Sequence, residues 1–322
     1  MNKFPDISNI YEKLRQCPYC CSVNFHILYQ APDRYGGKPG IFYLSRCSNC
    51  GLAFQNPRIK QEYIHEYYSD TLSYYQTKSE VSISTLKKVV SYTVDNFFNI
   101  IQYSRSKKIN LIPKFVKNGK LLEIGCSNGK QLEYFKTLGW DVCGIEMNKK
   151  AAAYAKNVRK LNVNNFTIEN ANYPNSTFDT IIMGMVIEHI YDPFELLKKI
   201  ANWLKPGGKL LFSTPNFNSF EFRIFKKYTY ALHLPNHIYI FNKKILKELL
   251  KKNSFKNIQF YCHSFERDTV ASSNYKYRAT KKPLYKIIAK SFLLKKFIIK
   301  PCLFLLSFLS LTSRFSVIAT KK

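Results

Sequence analysis

Acidic residues are scarce in this chain of 322 residues: Asp and Glu total 21 against 50 Lys and Arg, giving a formal net charge of +29. That imbalance brings anionic partners, nucleic acid or a membrane surface, into consideration. The chain is also rich in Lys, Asn, Ile, Tyr and Phe throughout, as AT-rich coding produces, and its charge is spread widely, so composition alone accounts for the balance equally well. No uninterrupted apolar run reaches the roughly twenty residues that cross a bilayer, which excludes an obvious spanning helix. The opening MNKFPDISNI lacks an apolar core followed by a small-residue cleavage site, so no secretory leader is read there and a cytoplasmic location is expected.

What is present is a hydrophobic content of 46%, enough for one full domain with smaller appendages. Four of the nine cysteines form two C-x-x-C pairs, and the others are scattered singly, as in a reducing compartment. The pairs CPYC and CSNC, separated by strand-like alternation, have zinc ribbon spacing. They predict that Cys17, Cys20, Cys47 and Cys50 enclose a structural Zn2+ with no position open to substrate. Disulfides or a redox pair are the competing readings.

The stretch KLLEIGCSNG, Lys120 to Gly129, reads as a buried strand that breaks into a glycine turn, followed by a helix with Leu132, Phe135 and Leu138 on one face. Such a turn lets backbone approach a ligand, and the helix start offers free N–H groups to negative charge. A dinucleotide fingerprint needs a third glycine where Lys130 stands. The pattern is instead E-x-G-x-x-x-G, with Glu123, Gly125 and Gly129. A second strand, Asp141 to Ile145, then ends in Glu146, where a carboxylate can accept both hydroxyls of a ribose.

Together with FDTIIMGMVIEHI and LKPGGKLLFSTPN further on, this order of motifs resembles the class I S-adenosylmethionine-dependent methyltransferases over roughly Val116 to Cys262 and the last strand, with Ser127 where the family usually has a glycine. The resemblance implies a Rossmann-like, seven-stranded α/β sheet closed by an antiparallel strand at SVIATKK. It implies S-adenosylmethionine held by Glu123, Gly125, Cys126, Ser127, Gly129 and Glu146. Met147 and Tyr173 would flank the adenine, and Glu169 or Asn170 would accept from its amino group. RCSNCGLAFQNPR followed by EYIHEYYSD looks like the zinc ribbon of a bacterial subgroup, many of whose members act on sugars or surface polysaccharides.

His189, at the end of the fourth strand, and His237, in the H-x-Y-x-F segment of a long aromatic loop, are the candidate catalytic bases. His189 is alternatively a brace for the helix that follows, and His233 ranks below both. The segment 63–115 has helical periodicity and could cover the cofactor through Tyr67, Tyr68, Tyr74 and Tyr75, or simply supply core. From Lys281 to Arg314, apolar groups broken by lysines suit an anionic lipid surface, a dimer contact or a helical cap. The expected organisation is a ribbon over 1–60, a helical linker or lid over 61–115, a catalytic domain over 116–265 and a helical extension with the last strand over 266–322. The expected acceptor is a small molecule, glycan or glycolipid, approached from the inner face of a membrane if lipid-linked. RNA methylation and a non-catalytic binding role are the alternatives.

Overall fold

The computed structural model describes residues 10–68, 85–101, 110–263 and 265–322. Tyr74 and Tyr75 lie outside the described residues.

Tyr11–Glu12 (β1) pairs with Arg58–Ile59 (β5), and between them Phe25–Pro32 (β2), Ile41–Cys47 (β3) and Ala53–Gln55 (β4) form an antiparallel sheet. Among the described residues of 63–115, the expected helical periodicity appears as a short 3-10 turn, Ile64–Tyr67, and a long helix, α1 (Thr85–Ile101). Residues 110–115 are not helical. Tyr67 is core, packed edge-on against Phe42 at 5.6 Å.

The main sheet starts at Lys120–Ile124 (β6), followed by α2 (Lys130–Thr137), Asp141–Ile145 (β7), α3 (Lys149–Asn157) and Val163–Asn164 (β8). Next come Phe178–Gly184 (β9), α4 (Pro193–Trp203), Leu204–Pro215 (β10), α5 (Phe220–Phe225), Tyr239–Ile240 (β11), α6 (Lys243–Lys252) and Phe255–Cys262 (β12). A run of helices, α7 (Glu266–Thr280), α8 (Pro283–Lys290), α9 (Phe292–Leu294) and α10 (Lys300–Phe308), leads to Arg314–Lys321 (β13). The strand order is β12-β13-β10-β9-β6-β7-β8, with β13 antiparallel to both neighbours. This is the seven-stranded α/β sheet that the sequence motifs imply.

Side-chain alternation along the strands divides the core between the two sheet faces. Leu121, Ile182 and Leu211 pack with α2 and α3, whereas Leu122, Ile181, Met183 and Phe212 pack with α4 and α6. Strand β10 begins earlier than Lys209 because the Lys-Pro-Gly-Gly segment is absorbed as a bulge: Leu204 pairs with Phe178, but Lys209 already pairs with Thr180. The helix after β9 is capped by Asp192, which accepts from the N–H groups of Phe194 and Glu195, so His189 is not its cap.

The cysteine module is not a separate lobe. Strand β11, from the late aromatic loop, adds to the edge of β4, and Cys17, Cys47, Leu52 and Phe54 belong to the same core as Tyr239, Phe241 and Ile245. Tyr19 Oη donates to Glu248 of α6 at 2.8 Å.

Candidate active site

The carboxyl ends of the parallel strands open on a cavity of about 750 Å3, and ligands of open α/β sheets bind at such ends. At one end lie Gly125, Ser127 and Glu146. Gly125 has φ +73°, and a Cβ there would stand 2.6 Å from Val186 Cγ2. The turn is tied to the next strand because the N–H groups of Gly125 and Cys126 both donate to Ile145 O. Ser127, where the resembling family has glycine, also takes a positive φ, 49°, and its N–H donates to Glu146 Oε2 at 2.8 Å. Thus the serine keeps the glycine-like turn, held by the carboxylate.

Glu146 Oε1 accepts from Asn148 N at 2.7 Å, and the carboxylate, with about four lone-pair sites, keeps acceptor capacity for a ligand. Burial pushes the Glu146 pKa up, opposed by the N–H donors of Asn148, Ser127 and Met147. Met147, Phe166, Ile168 and Glu169 continue this wall. A cavity wall with apolar side chains and two carboxylates has the acceptor set for a nucleoside: Glu146 would accept from its ribose hydroxyls and Glu169 from its ring amino group.

Several residues that the motifs nominate for the cofactor lie off this wall. Glu123 is buried in β6, its pKa raised to about 8 by burial and then by the Glu146 charge. Cys126 packs in the α2 and α3 core. Gly129 starts α2 at φ +77°, and a Cβ there would meet Leu161 at 2.6 Å and Ala155 at 2.9 Å, so its role is helix packing. Asn170 closes a 3-10 turn away from the wall, while Glu169 of the same turn lines it. Tyr173 packs edge-on against Phe178 and Trp203, takes Asn164 Nδ2 on its hydroxyl and is not among the residues of this wall, which Phe166 lines.

At the opposite end stand three histidines. The ring centroids of His189 and His237 are 4.8 Å apart, and His233 is 4.8 Å from His237 and 6.3 Å from His189. The His189 Nδ1 lies 2.8 Å from Asn236 O and 2.8 Å from Tyr68 Oη, and the His237 Nδ1 lies 2.9 Å from Ala231 O. A carbonyl can only accept, so each Nδ1 carries the proton and each Nε2 keeps a lone pair. Burial lowers the His189 pKa to about 4, although one edge of the ring still meets the cavity, and burial together with its histidine neighbours holds that of His237 well below the ordinary histidine value. Both rings are neutral at pH 7 and present a basic nitrogen.

Glu188, fully buried beside them, accepts from Thr214 Oγ1 at 3.0 Å, and its Oε1 has no partner among the described residues. Glu188, His189 and His237 bring ligand atoms within 4.8 Å of one another, a spacing that could also hold a divalent cation. Tyr230, Arg267 and Arg314 complete the wall, Arg314 being held by Asp268 through two contacts, Nε to Oδ2 at 2.5 Å and Nη2 to Oδ1 at 2.8 Å. Sequence reading gave no role to Phe166, Tyr230, Arg267 or Arg314. Only the i, i+4 spacing of His233 and His237 across a turn could have raised the rank of His233.

In the cysteine module, Cys17 Sγ is 3.6 Å from Cys50 Sγ and Cys20 Sγ is 3.5 Å from Cys47 Sγ. A zinc–sulfur bond of about 2.3 Å in a tetrahedron implies sulfur separations near 3.8 Å, whereas a disulfide needs about 2.05 Å. The four thiols therefore suit one tetrahedral cation.

Replacing Gly125 by Ala is expected to cost about 1–3 kcal/mol, since it places a side chain at φ +73° and against Val186, a residue of the cavity wall. Thermal melting of the purified variant measures this; an unchanged melting temperature would show that the turn relaxes without strain.

Residues 99–260, half of the chain, match a family described as a methyltransferase domain. Ubiquinone biosynthesis O-methyltransferases of Coxiella burnetii are 33% identical over 150 residues, covering 45% of this chain and 58% of theirs. That of Aliivibrio fischeri is 32% identical over 119 residues, 35% of this chain and 48% of its own. The chain thus spans about half the length of these curated relatives. Among solved structures, a SAM-dependent methyltransferase of Archaeoglobus fulgidus aligns over 68% of this chain and 94% of its own with TM-score 0.46 and 18% identity. A phosphoethanolamine N-methyltransferase 2 of Haemonchus contortus aligns over 77% of this chain and 61% of its own with TM-score 0.47 and 17% identity. By the family match over half its length, the chain belongs to the methyltransferase domain family, of the class I, S-adenosylmethionine-dependent kind.

Proposed function

We propose that the protein transfers a methyl group from S-adenosylmethionine to a hydroxyl of an acceptor, with a sugar hydroxyl of a glycan or glycolipid as first choice. The observation that carries this reading is one cavity with the Gly125 and Glu146 wall at one end and the unprotonated Nε2 atoms of His189 and His237 at the other. Bound S-adenosylmethionine supplies an electrophilic methyl on a sulfonium. Glu146 accepts the ribose hydroxyls, Glu169 accepts from the adenine amino group, and Met147 and Phe166 cover the ring. The acceptor hydroxyl gives its proton to Nε2 of His189 or His237, which burial keeps unprotonated at neutral pH while making it a weaker base than a free imidazole. Positioning contributes the larger share, since the acceptor oxygen must lie in line with the methyl group. The O-methyltransferase names of the curated relatives favour a hydroxyl acceptor. A glycolipid acceptor would bring the enzyme to the inner face of a membrane.

A structural Zn2+ on Cys17, Cys20, Cys47 and Cys50 is part of the proposal, supported by the sulfur spacing. The net charge of +29 favours RNA as the second acceptor reading. Salt separates them, because phosphate-dominated binding weakens steeply with ionic strength and binding of a neutral sugar does not.

The test is release of S-adenosylhomocysteine with a panel of nucleotide sugars, glycolipids, phenols and RNA. His189→Ala and His237→Ala are compared, and the variant that loses kcat by about 10²–10⁴-fold with unchanged cofactor binding identifies the base. The lowered pKa of His189 means that it is protonated only below about pH 4, so kcat/KM is expected to stay level from neutral pH down toward 5 and to fall as pH approaches 4. Loss of less than tenfold in both variants would remove the histidines from proton transfer. A rate abolished by a chelator and restored by a divalent ion would reassign Glu188, His189 and His237 as metal ligands.

A further inference from the structure

We propose that the helices between β12 and β13, together with α1, form a docking face for an anionic membrane surface. The inference deepens the glycolipid reading above and rests on it for the nature of the acceptor, but not for the contact itself. Leu284, Ile287, Leu293, Phe297, Ile298 and Leu305 are each more than half exposed, although they sit on helices whose opposite side is packed. Surface apolar residues are ordinary when single, but a cluster of this kind rimmed by charge marks a site of interaction.

Helix α1 extends the face. Its Phe98 packs at a tilt against Phe304, ring centroids 5.0 Å apart, and its own Tyr92, Phe97 and Ile100 are again more than half exposed. Among the described residues no helix is long and apolar enough to cross a membrane, so the fitting arrangement lies along the surface.

Charge selects the occupant. From Thr269 to Lys322 the chain contains no Asp or Glu and twelve Lys or Arg. Apart from the half-buried Lys295, the lysines of this segment divide into two sets. Lys296 is buried and pairs with Asp95 and Glu266, and Lys300 pairs with Asp95, so these two tie the segment to α1 and α7. Lys281, Lys282, Lys286 and Lys290 are exposed beside Leu284 and Ile287, where they can meet lipid headgroups while the apolar side chains enter the acyl boundary. A second copy of this chain would bring the same positive charge against itself and is disfavoured for that reason.

The face is also coupled to the site. Helix α7, on which α8 packs, supplies Arg267 to the cavity wall, and its Asp268 holds Arg314, another wall residue. A lipid-linked acceptor in the bilayer would therefore have its headgroup near the histidine end of the cavity.

The experiment is co-sedimentation of the full chain with vesicles of phosphatidylcholine, with and without phosphatidylglycerol, alongside calorimetric titration with S-adenosylmethionine. Sedimentation with the anionic vesicles, at least about tenfold weaker with neutral ones and weakened by salt, is the expected result. The double variant Leu293→Glu with Phe297→Glu should lose binding to both vesicle types, and Lys286→Glu with Lys290→Glu should lose only the preference for the anionic ones. Both should titrate with S-adenosylmethionine like the parent, which shows that they are folded. Absence of sedimentation with anionic vesicles overturns the proposal, as does a stable dimer in solution that Leu293→Glu with Phe297→Glu dissociates. Because vesicle binding is read without methyl transfer, failure here leaves the methyl-transfer reading standing, and failure of that reading would not abolish the contact.

Discussion

Glu146→Ala is expected to weaken binding of S-adenosylmethionine by about 10²–10⁴-fold, which would take it out of the range of calorimetry. Each hydrogen bond from a hydroxyl to a charged carboxylate contributes roughly 1.5–3 kcal/mol, and the two ribose hydroxyls would lose theirs together. The alanine also releases the N–H groups of Ser127 and Asn148, which the carboxylate holds at 2.8 and 2.7 Å. Ser127 then has nothing from Glu146 to hold it at φ 49°, so the turn that receives the cofactor loosens as well. Glu146→Gln, which keeps one acceptor oxygen, should fall between the two. Equal affinity of Glu146→Ala and the parent, with melting temperatures unchanged, would place the nucleoside elsewhere.

The second large effect concerns the cysteines. Removing the proposed Zn2+ with a strong chelator, or substituting Cys47→Ser, is expected to unfold the module and to abolish methyl transfer. Apparent binding free energies of structural zinc in small domains are about 10–16 kcal/mol, as large as the whole stability of a typical domain. The loss would travel to the site along backbone. Gln55 N donates to Ile238 O, Ile238 N donates to Glu188 O, and β11 is paired to β4, so the strand that follows His237 is held on one side by the cysteine module and on the other by the residue before His189. Elemental analysis should give one zinc per chain in the parent and less in the variant, with a lower melting temperature. A metal-free parent with full stability would leave four reduced thiols as the correct description of the module.

The turn at Gly125 and the carboxylate of Glu146 were legible because their meaning is local. A strand, a glycine turn and a helix occupy neighbouring positions, and the acid stands at the end of the next strand, about twenty residues on. The cysteine pairs were legible for the same reason, each pair being set by one tight turn. The surroundings of Tyr173 were not legible, because its aromatic ring reads equally well as a cofactor wall or as core, and only the fold shows Phe178 and Trp203 packed edge-on against it. Glu123 and Gly129 belong to the motif by position, yet strand pleat turns one into the protein and helix packing against Ala155 and Leu161 accounts for the other.

By itself, the sequence determined the parallel sheet, its cofactor turn, the acid beyond the second strand and the four-thiol cluster, since short spacings and two-residue alternation specify them. Only the tertiary structure decided that His189, His233 and His237 meet, that backbone carbonyls leave two of them with a free Nε2, that Arg267 and Arg314 reach the same cavity, and that the cysteine module carries a strand of the late loop. Apart from the contacts of His237 with His233 and Ala231, those relations join residues about forty to nearly two hundred positions apart, and they depend on side-chain direction and on the closing of loops over the sheet edge. No periodicity in the chain encodes them.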